Sequence, residues 1–496
     1  MLPVDSSLLC HDLPSRPQPE MGKILVTGAT GYIGGRLVPE LLARGYQVRV
    51  LVRAASEEHQ DRWPGAEIVV ADALNADSLR GALQGIHAAY YLIHSLLLGH
   101  KEFESKETLA AENFRRAAEA EGVARIIYLG ALGDVRVSLS PHLRSRMQVA
   151  QELARGSVST TVLRAAIIIG SGSASYEIVE HLVKNLPVFF VPRWAETRCQ
   201  PIAVRDVIKY LVGVLETPET RGKSFDIGGQ DVLTYKEMLA IFAGLLGKRR
   251  LFVPCPFCRI GFFAYLASLL TPVPASIIRC LMEGITNTVV CQNDDITRVL
   301  AFRPLGYREA LVRALSREEQ DKVHTRWSDA YPPAHELAIK LDEIREPIRY
   351  RSSYSLLTDK AAASLFYSIC RIGGREGWFY SNWLWRLRGM IDRLLMGVGS
   401  ARGRRSSSSL RVGDVIDFWR VEALRPDASL LLRAEMKLPG RAWLQFNVEP
   451  EGGGNRLAVE AYYQPAGVFG KPYWYVFLPF HFLIFQNLIR EIEKRA

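Results

Sequence analysis

The sequence predicts a doubly wound α/β domain built on a parallel sheet, followed by an α+β domain whose antiparallel sheet grips a long final helix. Three observations carry this. Residues 23–169 alternate short apolar runs with amphipathic segments of helical spacing. Glycines 28, 31 and 34 punctuate the first strand-to-helix change. From residue 415 the hydrophobic period drops to two, and four such runs precede a long apolar stretch.

The elements follow in order. Lys23–Thr27 is short and apolar, as a buried strand requires, and Leu37–Arg44 places Leu37, Val38, Leu41 and Leu42 in helical spacing. Gly28, Gly31 and Gly34 lie in the turn Thr27-Gly28-Ala29-Thr30-Gly31-Tyr32-Ile33-Gly34. Without a Cβ they allow a tight bend, close approach of a pyrophosphate, and contact of helix with strand. The anion would sit on the amides and positive dipole end of the helix. Gln47–Val52 is the next strand, then the strand Glu67–Ala71, the helix Ala76–Leu83 and the strand Ala88–Ile93. The helix Thr108–Glu121, the strand Arg125–Leu129, the helix Arg144–Leu153 and the strand Thr160–Ile169 complete the alternation. Helices of this length between strands imply right-handed crossovers, a parallel sheet covered on both faces, and a ligand at the carboxyl ends of the strands. The turn is therefore read as dinucleotide-binding; the alternative is a turn of the same shape that binds nothing.

Residues after the second strand bear on which dinucleotide. An NAD site carries an acid about 20 residues beyond the glycines for the ribose hydroxyl. Here Val50-Leu51-Val52 ends at Arg53, with no acid before Glu57. A guanidinium offers a fixed fork of donors to a 2′-phosphate, so NADP is favoured and NAD remains the alternative. Asp72, at the end of the third strand, either accepts from an adenine amino group or caps the following turn.

A chain of 496 residues has room for two or three domains. The net charge of +10 is concentrated around Arg371–Arg393 and Arg402–Arg411. No zinc finger, ribonucleoprotein motif or heptad zipper accompanies it, so a nucleic-acid partner is not expected. Seven scattered cysteines fit a reducing cytoplasmic setting, and Cys255-Pro-Phe-Cys258 reads as packing rather than thiol chemistry. The first twenty residues read as a disordered tail, and Met21 is a candidate translation start. Two uncharged stretches, Ile260–Ile278 and Tyr473–Ile489, are short for a membrane span and contain prolines. They read as core helices, with peripheral membrane contact as the alternative.

The glycine turn, Arg53, Asp72 and the run Arg198-Cys199-Gln200-Pro201-Ile202-Ala203-Val204-Arg205-Asp206-Val207 resemble an atypical, NmrA-like extended short-chain dehydrogenase/reductase over residues 21–320. The resemblance implies a Rossmann-type domain. It implies NADP or NAD held by Gly28, Thr30, Gly31, Tyr32, Ile33, Gly34, Arg53, Asp72, Ala73 and Leu92, with residues 170–320 closing over substrate. Active members use Tyr-x-x-x-Lys on the helix after the fifth strand and a hydroxyl at that strand's end. This chain has His142 and Arg146 at those places, and Leu129-Gly130-Ala131 at the strand end. Either His142, with Arg146 on the cofactor hydroxyls, serves as acid/base, or His142 only begins a helix and the domain binds nucleotide without turnover.

Residues 321–345 read as a linker. Beyond it, Trp378, Trp385 and Asp392 share one helical face and Leu384, Leu387, Ile391 and Leu395 another, which reads as core packing or an aromatic-walled cavity. The strands Val415–Ala423, Ser429–Lys437, Ala442–Val448 and Arg456–Tyr463 precede a helix at about Tyr475–Lys494. The motifs Gly373-Gly374-Arg375-Glu376-Gly377-Trp378, Gly413-Asp414-Val415-Ile416-Asp417-Phe418-Trp419-Arg420 and Leu432-Arg433-Ala434-Glu435-Met436-Lys437-Leu438-Pro439-Gly440 resemble the DUF2867 domain, and more distantly the START/polyketide-cyclase helix-grip fold, over residues 346–496. That resemblance implies an architecture without an activity. Arg402, Arg404, Arg405 and Arg411 either bind an acidic ligand or form a solvated loop. The sequence thus points to an NAD(P)-dependent oxidoreductase acting on a hydrophobic carbonyl, quinone or lipid-like ligand. The alternative is a non-catalytic NADP-binding sensor or assembly factor with a quinone-linked or assembly role, which the group's resemblance to a subunit of respiratory complex I implies by analogy of fold.

Overall fold

Apolar runs of four to seven residues form the first sheet: β1 (Lys23–Val26), β2 (Val48–Val52), β3 (Glu67–Val70), β4 (Ile86–Tyr91), β5 (Arg125–Ala131), β6 (Ser159–Ala165) and β7 (Ser224–Ile227). All pair in parallel, in the order β7-β6-β5-β4-β1-β2-β3. The chain builds outward from β1 to β3, then returns past β1 to β4, so the switch point lies between β1 and β4. The computed structural model describes residues 9–10, 12–54, 57–94, 103–133, 139–255, 259–319, 325–330, 339–344, 348–374, 376–399, 404 and 410–496. Its two units are residues 1–267 with 276–333, and residues 268–275 with 334–496.

Alternating strand residues feed two cores. On one face Ile24, Val26, Ala88 and Tyr90 meet Leu37, Val38 and Leu41 of α1 (Gly34–Ala43), together with Val207, Leu211 and Val214 of α7 (Val204–Glu216). On the other, Leu25, Ala89, Tyr91 and Ile126 meet α3 (Ala76–Leu83), α4 (Phe103–Ala120) and α5 (Pro141–Ala154). The short helix α2 (Glu57–Arg62) lies between β2 and β3. After β6 the chain forms a smaller core, in which Tyr176 and Val183 of α6 (Ala174–Asn185), Phe242 of α8 (Tyr235–Leu245) and Leu311 of α12 (Tyr307–Glu319) pack together. Ile168–Ile169, expected to continue β6, instead pairs with Ile202–Ala203.

Two expectations give way in this unit. Residues 9–10 and 12–20 do not form a loose tail. Cys10 and Leu13 are buried in the first core, the Cys10 amide donates to Glu40 at 2.9 Å, and Ser15 Oγ donates to the buried Glu216 at 2.6 Å. Residues 1–8 and 11 lie outside the described residues. Most of the expected linker, including 331–338, also lies outside them, but 325–330 packs onto this unit: Trp327 Nε1 donates to Glu177 at 2.7 Å.

In the second unit β8 (Tyr350–Thr358), β9 (Val415–Ile416), β10 (Trp419–Arg425), β11 (Ser429–Ala434), β12 (Gly440–Glu451) and β13 (Gly454–Pro465) form an antiparallel sheet in the order β8-β13-β12-β11-β10-β9. The β12–β13 hairpin turns at Gly452 and Gly453, both at positive φ, where the glycine run predicts it. α15 (Gly470–Lys494) lies on β8 and β13, with Trp474 stacked on Tyr463 at 5.7 Å. The tryptophans pack on one another: Trp378 stacks on Trp385 at 4.1 Å, and Trp385 on Phe418 at 6.0 Å. Trp385, Gly389 and Asp392 are the buried face of α14 (Asn382–Leu394), whereas Leu387, Ile391 and Leu395 are exposed.

Among the described residues no helix is long and apolar enough to cross a membrane. The stretch 260–278 is divided between α9 (Ile260–Leu270) and α10 (Ala275–Gly284), with Pro272 and Pro274 between them. In α15 the buried residues are Gly470, Trp474 and, later, Phe485, Leu488, Ile489 and Ile492, whereas Tyr475, Val476, Phe480, Phe482 and Leu483 are exposed. Cys255 is disulfide-bonded rather than a packing thiol, and Cys258 lies outside the described residues.

Deleting residues 1–20 removes the burial of Cys10 and Leu13 and the Ser15 bond to Glu216. Urea denaturation of the truncated chain is expected to give a loss of about 2–5 kcal/mol relative to the full chain; equal midpoints would contradict this packing.

Candidate functional site

The turn after β1 is built by close approach. Gly28 has φ +63°, and a Cβ on it would lie 2.4 Å from the Leu92 carbonyl oxygen. A Cβ on Gly34 would lie 2.4 Å from the Gly28 carbonyl oxygen. The turn is thus pressed onto the end of β4, and α1 onto the turn. Gly31 differs, since a Cβ there would meet only its own turn, at 3.2 Å. Ile33 begins α1 without a side-chain cap, and the first helical turn holds no acid. No side chain of α1 itself therefore compensates the positive end of its dipole. Thr27 staples the arrangement: its Oγ1 donates to the Tyr90 carbonyl at 3.0 Å and accepts from the Leu92 amide at 3.1 Å.

The other expected cofactor residues lie along the same edge. Arg53 is exposed just past β2, with the Asp72 charge as its electrostatic neighbour. Asp72 Oδ1 accepts from the Leu74 amide at 3.0 Å, so the carboxylate closes the turn after β3, as the capping reading requires. The Ala73 carbonyl accepts from Asn113 of α4 at 3.1 Å. Thr30 and Tyr32 lie in the turn itself, and the Tyr32 ring carries the Arg36 guanidinium at 4.9 Å.

His142 and Arg146, on the first turns of α5, belong to a polar cluster that sequence reading missed. Two residues beyond Leu92, His94 shares a 2.9 Å hydrogen bond through Nδ1 with Glu107 of α4. Ser145 donates to the other Glu107 oxygen at 2.5 Å, and the His94 and His142 rings lie 5.1 Å apart. Arg146 is buried, donates to the Leu129 carbonyl, and lies 5.0 Å above the Tyr128 ring. Its Nη1 is buried with no hydrogen-bond partner among the described residues, as is His142 Nδ1. The hydroxyl absent from the end of β5 is therefore matched by Ser145 on α5, which is spent on Glu107.

The cluster sets protonation. Burial pushes the His142 imidazole down to about 3, assisted by the charges of His94 and Arg146. Burial would raise the Glu107 carboxyl, but the His94 hydrogen bond and the His94 and Arg146 charges hold it down at about 2. His94 is lowered by burial and Arg146 against the pull of Glu107. The consistent state near neutrality is an ionised Glu107 accepting from the Nδ1–H of a neutral His94, beside a neutral His142. Neutral imidazole can donate or accept a hydrogen bond, but it is a poor proton source.

A second missed residue is Thr325, which is buried and donates through Oγ1 to the Tyr32 carbonyl at 3.0 Å. It arrives from nearly 300 residues downstream, from a segment whose composition signals only a connection. In the second unit Arg404 donates to the Ile372 and Cys370 carbonyls at 2.7 and 2.6 Å. It holds a loop there, while Arg402 and Arg405 lie outside the described residues.

Gly28→Ala puts a Cβ against backbone in a left-handed conformation. It is expected to cost more than about 3 kcal/mol by chemical denaturation, and to shift the Leu92 end of β4. A variant as stable as the parent would contradict the close approach.

Residues 20–260 match the NmrA-like family, and residues 345–488 match a family described as a protein of unknown function, DUF2867. The photosystem II assembly factor Ycf39 of Trieres chinensis is 25% identical over 230 residues, 45% of this chain and 69% of that protein. NADH dehydrogenase [ubiquinone] 1 alpha subcomplex subunit 9 of Arabidopsis thaliana is 27% identical over 240 residues, 47% of this chain and 60% of that protein. The divinyl chlorophyllide a 8-vinyl-reductase of Oryza sativa subsp. indica is 27% identical, over 48% of this chain and 62% of that protein. The chain thus spans less than two thirds of the length of the latter two. Among solved structures, the Bordetella bronchiseptica enzyme WbmG in complex with NAD has a TM-score of 0.49 at 14% identity, covering 62% of this chain and 96% of that one. Residues 20–260 are thus similar to NmrA-like proteins, and residues 345–488 to the DUF2867 family.

Proposed function

We propose that the chain binds a nicotinamide dinucleotide, NADP in preference to NAD, at the turn between β1 and α1, and reduces a hydrophobic carbonyl, quinone or lipid-like compound. The observation that carries this is the glycine turn pressed against Leu92 at the switch point, with a helix start behind it that no side chain caps. In this reading Arg53, exposed just past β2, takes the 2′-phosphate, while Asp72 closes its own turn. When bound, the cofactor supplies hydride. The residues of this chain supply the surroundings: Arg146 anchors the end of β5, Glu107 orients His94, and His142 presents a neutral imidazole to a substrate oxygen as a hydrogen-bond donor. The proton then comes from water rather than from His142, because an imidazole held at about 3 carries no extra proton near neutrality. The likeness to a vinyl-reductase supports reduction of an apolar substrate.

A second reading, a nucleotide-bound sensor or assembly factor, is favoured by the replacement of Tyr and Lys with His142 and Arg146. The likeness to an assembly factor and to a subunit of an NADH dehydrogenase also supports it. Denaturing the purified protein and analysing what it releases separates the two, since a reductase exchanges its nucleotide and turns over while a sensor retains it.

Arg53→Ala is expected to weaken NADPH about 10- to 100-fold while leaving NADH nearly unchanged. Equal losses for both would refute the 2′-phosphate role. In a reductase-active preparation, kcat is expected to show no inflection between pH 6 and 8, because His142 titrates far below that window. An inflection near 6.5 that disappears in His142→Ala would instead make His142 the acid.

A further inference from the structure

Among its described residues the second unit carries an apolar face that its own packing leaves uncovered. On α14 the exposed residues Trp383, Leu387, Met390, Ile391 and Leu394 fall at helical spacing along one side, opposite the buried Trp385, Gly389 and Asp392. On the first half of α15, Pro472, Tyr475, Val476, Pro479, Phe480 and Leu483 form a second exposed stripe. The turn leading into α15 presents Val468 and Phe469, 87% and 78% exposed. These pieces adjoin one another. Arg388 of α14 donates to the Lys437 carbonyl at 2.8 Å, the Lys437 amide donates to Asp392 at 2.7 Å, and the Ala466 amide donates to the Pro439 carbonyl at 2.9 Å. A buried core accounts for none of these side chains, and isolated exposed apolar residues do not repeat at such spacing on two neighbouring helices.

The charges around the face indicate what covers it. Arg386, Lys437, Arg441 and Lys471 are exposed on its border. The only acid of α14, Asp392, is buried, and α15 has no acid before Glu491. The exposed acids Glu449 and Glu451 are paired with Arg456 at the far end of β12, about 35 Å away along an extended strand of twelve residues. The face is therefore bordered by cations, and no exposed acid of α14 or of the first half of α15 lies on it. A second copy on a two-fold axis would oppose the same cations to one another, which disfavours self-association through this face. Aromatic side chains beside lysine and arginine on amphipathic helices suit the boundary between headgroups and acyl chains.

We propose that this face seats the chain on an anionic lipid bilayer. α14 and the first half of α15 lie in the plane of the interface, Trp383, Phe469 and Phe480 enter the acyl boundary, and Arg386, Lys437, Arg441 and Lys471 contact acidic headgroups. Nothing in this depends on nucleotide binding, so it stands or falls separately from the reductase reading.

Vesicle flotation of the purified full chain tests it. Binding is expected to be tenfold or more stronger to vesicles of phosphatidylcholine with 30% phosphatidylglycerol, a composition of about one anionic lipid in three, than to phosphatidylcholine alone. It is expected to fall steeply between about 0.05 and 0.5 M salt. The double variant Val468→Ser/Phe469→Ser is expected to lose at least tenfold in binding at unchanged melting temperature, since both side chains are already in water. Lys437→Glu/Lys471→Glu is expected to erase the preference for anionic lipid. Folded protein that ignores both vesicle types overturns the proposal. So does a concentration-dependent dimer dissociated by the serine variants, which would give the face to a second copy.

Discussion

How near the turn after β1 comes to the end of β4 decides the rest of the first unit. With Gly28 at φ +63° and a Cβ there only 2.4 Å from the Leu92 carbonyl oxygen, no other residue permits the approach without moving one strand end. Thr27 locks it with hydrogen bonds on both sides of Tyr91. Everything downstream inherits that position: α1 starts against the Gly28 carbonyl, Leu92 is held at the switch point, and His94 emerges two residues later facing His142. The glycine turn and the His94–His142 cluster are brought to one end of the sheet by one backbone contact.

The chemistry at that edge departs from the usual acid/base arrangement in a physically coherent way. A tyrosine activated by a lysine needs a charged partner close to a solvent-reachable phenol. Here the cation is Arg146, which is buried and engaged with the Leu129 carbonyl and the Tyr128 ring. The only carboxylate identified in the cluster, Glu107, is ionised and divided between His94 and Ser145. Burial and the nearby positive charge then keep both imidazoles neutral. Such a cluster orients and polarises more readily than it delivers protons.

The second unit solves a different problem. A six-stranded antiparallel sheet has one face to cover, and α15 covers it with Trp474, Phe485, Leu488, Ile489 and Ile492. The helix is longer than that task needs. On the outer side of its first half it and α14 leave aromatic and aliphatic side chains in solvent beside a cationic rim. Stability explains the buried half; the exposed half calls for an occupant.

Local periodicity and glycine placement alone determined the parallel sheet, the turn between β1 and α1 and the β12–β13 hairpin, because period-two and period-3.6 patterns and positive-φ residues are properties of neighbours in the chain. The same reasoning put Arg53 and Asp72 at strand ends. It misread residues 9–10 and 12–20 and the segment around Thr325, because prolines and charges signal a loose segment whether or not a distant partner is waiting; Glu216, Tyr32 and Glu177 are those partners. It missed β8, which follows the expected domain start near Pro347 without a hydrophobic alternation strong enough to announce it. Only tertiary structure joined His94, Glu107, Ser145 and His142, which come from the end of β4, α4 and α5, and only there does burial choose their charge states. Only tertiary structure, too, divided α14 and α15 into buried and exposed faces, since an apolar stripe has the same spacing whether a sheet or something outside the chain is to cover it.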